Sequence, residues 1–147
     1  MTQQNKYYTI KEFLGGDDLV KEPLNTQYDY IQLSRKGLSK KQLLFLAKKL
    51  SLSLLEISNI LPISIRTLQR YDKNQTFSPD VSSRILLIAE LILKGSNVFG
   101  SIDKFSIWLR HPNTSLANQS PLNLLDTAFG LELIKNELGR IEHGVIS

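Results

Sequence analysis

A chain of 147 residues, 41% hydrophobic and 22% charged, is long enough to bury a sizeable core and too apolar for a disordered polymer. It has no cysteine, which excludes disulfide frameworks and thiolate metal sites. The net charge of +4 is uneven: from Tyr30 to Phe77 nine Lys or Arg face two carboxylates, Glu56 and Asp72, a balance of +7, while Ser78 to Ser147 carries six basic and seven acidic residues, a balance of −1.

The opening MTQQNKYYTI lacks the apolar centre of a signal peptide. The longest apolar run, Ile85 to Leu93, is broken by Glu90 and falls far short of the ~20 residues that span a bilayer. A cytoplasmic protein without membrane contact is expected. Residues 1–25 hold one apolar element, Tyr8 to Leu14, then a Gly15-Gly16 turn and Asp17-Asp18, and read as a loosely held N-terminal arm. The paired glycines lack the spacing of a phosphate-binding loop. A short helix around Tyr30 to Arg35 ends at Gly37. Ser39 and Gln42 then form a capping box that opens a second helix. Leu43, Leu44, Leu46, Ala47 and Leu50 supply its buried face, and Lys40, Lys41, Lys48 and Lys49 its wet side.

The stretch from Ser53 to Lys73, SLLEISNILPISIRTLQRYDK, reads as two short helices around a tight turn. Ser53 and Glu56 make another capping box, and Leu54, Ile57, Ile60 and Leu61 fall at helical spacing. Pro62 disfavours helix at Leu61, and Ser64 caps a new helix over Ile65 to Asp72. Ile65, Leu68 and Tyr71 pack inward, leaving Arg66, Thr67, Gln69, Arg70 and Lys73 outside, with Ser64 at the tip. This pattern matches a helix-turn-helix, whose second helix lays its N-terminal residues on base edges. Arg is suited to guanine and Gln to adenine. Arg66, Thr67, Gln69 and Arg70, with Ser64, are therefore the expected DNA contacts, and Lys40, Lys41 and Lys73 the expected phosphate contacts. The same residues also suit a helical hairpin with a solvated basic face.

Ser78-Pro79 opens a helix that runs to about Gly95. It is apolar nearly all round between Ile85 and Leu93, which fits either a subunit interface or burial inside the monomer. Ser101 caps a further helix through Leu109, where Trp108 is expected to be mostly core. A loop from His111 to Gln119 and a second Ser-Pro start at Ser120-Pro121 precede the last helix, Ala128 to about His143. That helix aligns Leu131, Ile134, Leu138 and Ile141, and Gly144 ends it in the left-handed conformation. Val145 and Ile146 are β-branched residues at a chain end, which calls for something to cover them. Nothing in the chain reads as a strand.

No catalytic constellation is visible. His111 and His143 lack metal-ligand spacing, the carboxylates are scattered, and there is neither a P-loop nor a dinucleotide fingerprint. No enzyme, metal or cofactor is expected.

The second half, VFGSIDKFSIWLRHPN, SPLNLLDTAFG and RIEHGVIS, resembles the toxin-binding domain of Xre/MbcA/ParS-type antitoxins. GLSKKQLLFLAKKLSLSLLEISNILPISIRTLQR resembles the helix-turn-helix that accompanies it. Together they cover Gly37 to Ser147, and Phe13 to Gly16 extend the match upstream. One departure is Ser115 to Asn118, where the family often has a small-residue, glycine-containing loop. The resemblance implies an all-α chain with a helix-turn-helix unit at 26–77 and a small helical toxin-binding and dimerisation domain at 78–147. It implies the antitoxin of a bacterial type II pair whose partner is a RES-domain toxin that consumes NAD, neutralised by occlusion of its active site. It further implies a homodimer that binds and represses its own promoter. Toxin contact is then expected at Arg140, Ile141, Glu142, His143, Gly144, Val145 and Ile146, supported by Trp108, Pro112 and Asn113. The rivals are a stand-alone helix-turn-helix transcription regulator without a toxin, and a protein-inhibitor module that has lost DNA affinity.

Overall fold

Side-chain caps set where the helices begin. In the computed structural model, which describes residues 10–144, Thr26 and Asp29 form a capping box that opens α1 (Gln27–Lys36). The same device at Ser39 and Gln42 opens α2 (Lys40–Lys49), and at Ser53 and Glu56 it opens α3 (Leu54–Ile60). Ser64 caps α4 (Ile65–Arg70), and Ser78, with Pro79 in the first turn, caps α5 (Pro79–Phe99). Ser101 caps α6 (Ile102–Arg110) and Thr127 caps α7 (Ala128–Glu142). Each cap satisfies an N–H that a helix start leaves without an internal partner. Tight 3₁₀ turns at Pro121–Leu124 and Thr114–Leu116 link the last two helices. Among the described residues there is no strand, only isolated bridges pairing Ser39 with Thr76 and Asn113 with Gln119. The fold is all-α, a helix-turn-helix unit followed by a C-terminal helical part.

α5 is the axis of the molecule. α1 packs against it from the N-terminal side, and α6 and α7 pack against it from the C-terminal side. Ile85, Leu86, Ile88, Ala89, Leu91, Ile92 and Leu93 are all buried, Glu90 is half-buried, and of the apolar residues in that run only Leu87, 47% exposed, faces outward. Of the two readings of this over-apolar helix, burial within the monomer is the one realised over most of its surface.

The helix also runs a full turn beyond Gly95, ending at Gly100 with φ +85°. Gly95 is a packing residue rather than a stop, because a Cβ there would lie 2.2 Å from the Phe105 ring. Its bareness lets α6 press its largest side chain onto α5. Phe105 is fully buried, with ring centroids 6.1 Å from Phe99 and 6.0 Å from Trp108.

The segment before α1 corrects the reading of a loose arm. Ile10, Leu14 and Val20 have no exposed surface and Leu24 has 2%. The Gln42 side-chain amide donates to the Leu19 carbonyl at 2.7 Å. Residues 10–24 therefore wrap onto the core; Tyr8 and Thr9, the first part of the expected element, lie outside the described residues. The loop at Ser115 to Asn118 turns without glycine. Ala117 (φ +57°) and Asn118 (φ +63°) both take the left-handed conformation that a glycine adopts at no steric cost.

Candidate functional site

The basic face is built by α3, α4 and the chain around them. Leu61 is extended ahead of Pro62, so α3 stops there, and Ser64 restarts the chain as α4. Leu68 is fully buried and fixes α4 inward, while Tyr71 stacks on Phe77 with ring centroids 5.1 Å apart. The helix closes at Arg70 rather than Asp72, because Tyr71 turns extended to reach Phe77. Beyond it the chain is pinned back to the start of α2. The Lys40 N–H donates to the Gln75 carbonyl at 3.0 Å and the Lys41 N–H to the Lys73 carbonyl at 2.9 Å. The buried Ser82 hydroxyl accepts the Leu38 N–H at 2.9 Å.

On this support Arg66, Gln69, Arg70, Lys41 and Lys73 are exposed, and none has an intramolecular side-chain partner among the described residues. Ser64 and Thr67 are exposed as expected but bond to each other: the Ser64 hydroxyl accepts the Thr67 N–H at 3.1 Å and donates to Thr67 Oγ1 at 2.9 Å. Lys40 differs from its neighbours. Its ammonium donates to the Tyr71 carbonyl at 2.9 Å, at the C-terminal end of α4, where a cation complements the helix dipole. It steadies the exposed helix as well as adding charge to the face.

The C-terminal candidates fall into two groups. Trp108 is half-buried in the aromatic cluster with Phe99, 5.4 Å away, and Phe105. Pro112 is exposed, and Asn113 shapes the loop: its side-chain oxygen accepts the Ser115 N–H at 2.9 Å, and its carbonyl accepts the Asn118 N–H at 2.9 Å. At the end of α7, Arg140, Glu142, His143 and Gly144 are exposed and Ile141 is half-buried. Arg140 pairs with Glu137 at 3.4 Å, and Gly144 has the left-handed φ of +72° expected of it. Val145 and Ile146 lie outside the described residues. α6 and α7 both pack on the Pro121–Leu124 turn, which joins the two groups.

A bidentate ion pair ties the C-terminal part to the helix-turn-helix. Arg110, at the end of α6, donates to both carboxylate oxygens of Glu56 in α3, at 2.5 and 3.2 Å. The same guanidinium donates to the Ser51 carbonyl at 2.8 Å, and the Ser106 hydroxyl to the Leu50 carbonyl at 3.1 Å. Glu56 still accepts the Ser53 N–H at 3.0 Å, so one carboxylate serves both the cap and the clamp.

Arg110 first, and the Ser53 N–H second, hold the Glu56 carboxyl below its ordinary value of 4.5. A lowered folded-state pKa gives stability that is complete above the unfolded value and disappears as pH falls through the folded one. Both side chains are about one-third exposed, so solvent screening limits the pair to about 1 kcal/mol. Glu56→Gln keeps the cap and removes the charge. Thermal melts should place it ~2–4 °C below the parent at pH 7. The gap should close once the pH is well below 4.5.

Sequence reasoning passed over two exposed apolar residues of α7. Phe129 is 89% exposed and Leu133 48%. They fall off the Leu131–Ile134–Leu138 stripe, and being off the stripe was the available signal. On the other flank of α7 an open groove of about 570 Å³ runs between α5 and α7, lined by Leu87, Leu91 and Leu131 and edged by Glu90, Lys94, Glu132 and Lys135. Among the described residues no cluster of three or more His, Asp or Glu is placed to hold a metal ion.

Residues 29–90 match the family model of the antitoxin Xre-like helix-turn-helix domain. Residues 94–144 match that of the antitoxin Xre/MbcA/ParS C-terminal toxin-binding domain. The chain is similar to the protein named Antitoxin Xre of Photorhabdus laumondii, with 33% identity over 94 residues, 63% of this chain and 64% of that protein. It is also similar to the Antitoxin Xre of Yersinia enterocolitica, with 33% identity over 72 residues, 48% of this chain and 49% of the relative. The chain thus spans less than two-thirds of the length of the curated relatives it matches. Two adjoining matches of this kind, one over the exposed basic helix-turn-helix and one over the clamped C-terminal helical part, make the chain similar to the Xre/MbcA/ParS antitoxins along most of its length.

Proposed function

We propose that this chain is the antitoxin of a bacterial type II toxin–antitoxin pair, acting in the cytoplasm. Its C-terminal part covers the active site of a RES-domain, NAD-consuming toxin, and its helix-turn-helix binds and represses the promoter of its own operon, as a homodimer. The mechanism is occlusion: the chain supplies surface and no chemistry. The observation that carries this reading is the union, on one rigid helical frame, of an unpaired basic α4 face with a segment matched as toxin-binding. Arg66, Thr67, Gln69 and Arg70 then read bases, Lys41 and Lys73 hold phosphates, and Lys40 positions α4 beside them. The toxin is met by Arg140 to Ile146, with Pro112 and the Asn113-built loop in support.

The test is a pull-down of tagged full-length protein beside a version ending at Gly139, each co-expressed with the product of the neighbouring gene. The expected result is a partner held by the full-length protein alone, with promoter binding kept by both. A partner retained by the shortened version removes the C-terminal end from the inhibitory surface. If neither retains a partner while promoter binding persists, the stand-alone regulator replaces the antitoxin.

A further inference from the structure

Phe129 is the least expected residue on the surface. A phenylalanine with 89% of its surface in water makes no contribution to the fold that a polar residue there would lack. It stands in the first turn of α7, the best-anchored turn of that helix. Thr127 accepts the Gly130 N–H at 3.0 Å. Gly130 itself lies so close to the Pro121–Leu124 turn that a Cβ would sit 1.5 Å from the Leu124 carbonyl oxygen. The ring is therefore offered to solvent from a fixed backbone.

Phe129 does not stand alone. Leu133, Asn136 and Arg140 follow at steps of four, three and four residues, which puts all four on one strip of α7 about 16 Å long. Asn136 and Arg140 are exposed, and Arg140 already belongs to the surface assigned to the toxin. The strip carries an apolar anchor at one end and a guanidinium at the other, resting on the buried Glu137, with the exposed Glu132 bordering it beside Phe129. Its charge complement is a protein surface with an apolar pocket and an acidic rim. The groove on the opposite flank, edged by both signs of charge, lacks this polarity.

We infer that Phe129 and Leu133 are the apolar anchors of the toxin-binding surface, inserted into a pocket of the toxin whose rim pairs with Arg140. The inference rests on the antitoxin reading and names the part of the chain that does the binding. The strip lies wholly within residues 94–144, the segment matched as toxin-binding, and runs without a break into the C-terminal end. Rigid exposed aromatic side chains are the usual centres of binding energy in protein interfaces, because little freedom is lost when they are covered.

The experiment uses the full chain co-expressed with the neighbouring gene's product, in four forms: parent, Phe129→Ala, Phe129→Glu, and Lys135→Ala on the groove side of α7. Partner retention, promoter binding, melting temperature and the mass of the free protein are measured for each. Both Phe129 variants should lose partner affinity by at least ~30-fold while melting temperature, promoter binding and mass stay at parent values, and Lys135→Ala should retain the partner. Parent-level retention by Phe129→Glu overturns the inference and leaves the antitoxin reading standing. A Phe129→Glu protein whose free mass halves also overturns it, because the strip then belongs to a second copy. A parent that holds no partner overturns the antitoxin reading and this inference with it.

Discussion

Phe105→Ala should be the most damaging single substitution in the chain, costing about 3–5 kcal/mol of stability. The ring has no exposed surface, and it lies between Phe99 and Trp108 on a floor made by Gly95. Removing it deletes one of the largest buried side chains and leaves a cavity whose walls cannot close. Gly95 has no side chain to fill it, and the rigid α5 holds that wall in place. A domain of this size is stable by only about 5–15 kcal/mol, so the loss consumes a large share. Thermal denaturation should shift downward by ~10 °C, and urea midpoints should fall with an unchanged slope. A melting temperature within ~2 °C of the parent means that the aromatic cluster is not the keystone of the C-terminal part.

Replacing Arg66 and Arg70 together by Ala should produce the largest functional loss at the other end of the molecule. Each is exposed on α4 without an internal partner, so its removal costs nothing within the fold. Each bidentate base contact is worth about 1–3 kcal/mol, and the pair about 2–6 kcal/mol if both read bases. Titration against a duplex from the promoter should show at least a ~30-fold weakening, with discrimination against a scrambled duplex largely lost. Lys41→Ala and Lys73→Ala should act differently. They should weaken all duplexes alike and reduce the slope of log affinity against log salt by about one unit each. If the double arginine variant binds as the parent does, α4 is not the reading helix.

Much of this was legible because it is local. The boxes Ser39–Gln42 and Ser53–Glu56, and the starts Ser78-Pro79 and Ser120-Pro121, concern residues within one turn of each other, and short-range sterics decide them. The break at Leu61-Pro62 belongs to the same class. What sequence reading missed depends on distant partners. Gly95 looks like a helix stop until Phe105, ten residues later, is seen to fill the space above it. Ile10, Leu14, Val20 and Leu24 follow no single period because the segment wraps the core instead of lying along it as one helix. The role of Lys40 at the Tyr71 carbonyl, and the Arg110–Glu56 pair 54 residues apart, leave no trace in local pattern. Phe129 lies outside the apolar stripe of its helix, and a stripe shows what a helix buries, not what it offers.

The two family matches meet inside α5, one ending at Glu90 and the other beginning at Lys94. α5 is unbroken there, with Leu91, Ile92 and Leu93 buried between the two limits. The junction is therefore a rotor with a fixed setting. One residue inserted between Glu90 and Lys94 turns everything beyond it by about 100° and advances it by about 1.5 Å, which pulls Arg110 away from Glu56. An insertion of seven residues comes back within about 20° in angle but moves the C-terminal part by roughly 10 Å along the axis. Recombination between relatives that joins one helix-turn-helix part to another C-terminal part is thus confined, in this chain, to exchanges that conserve both length and helical phase.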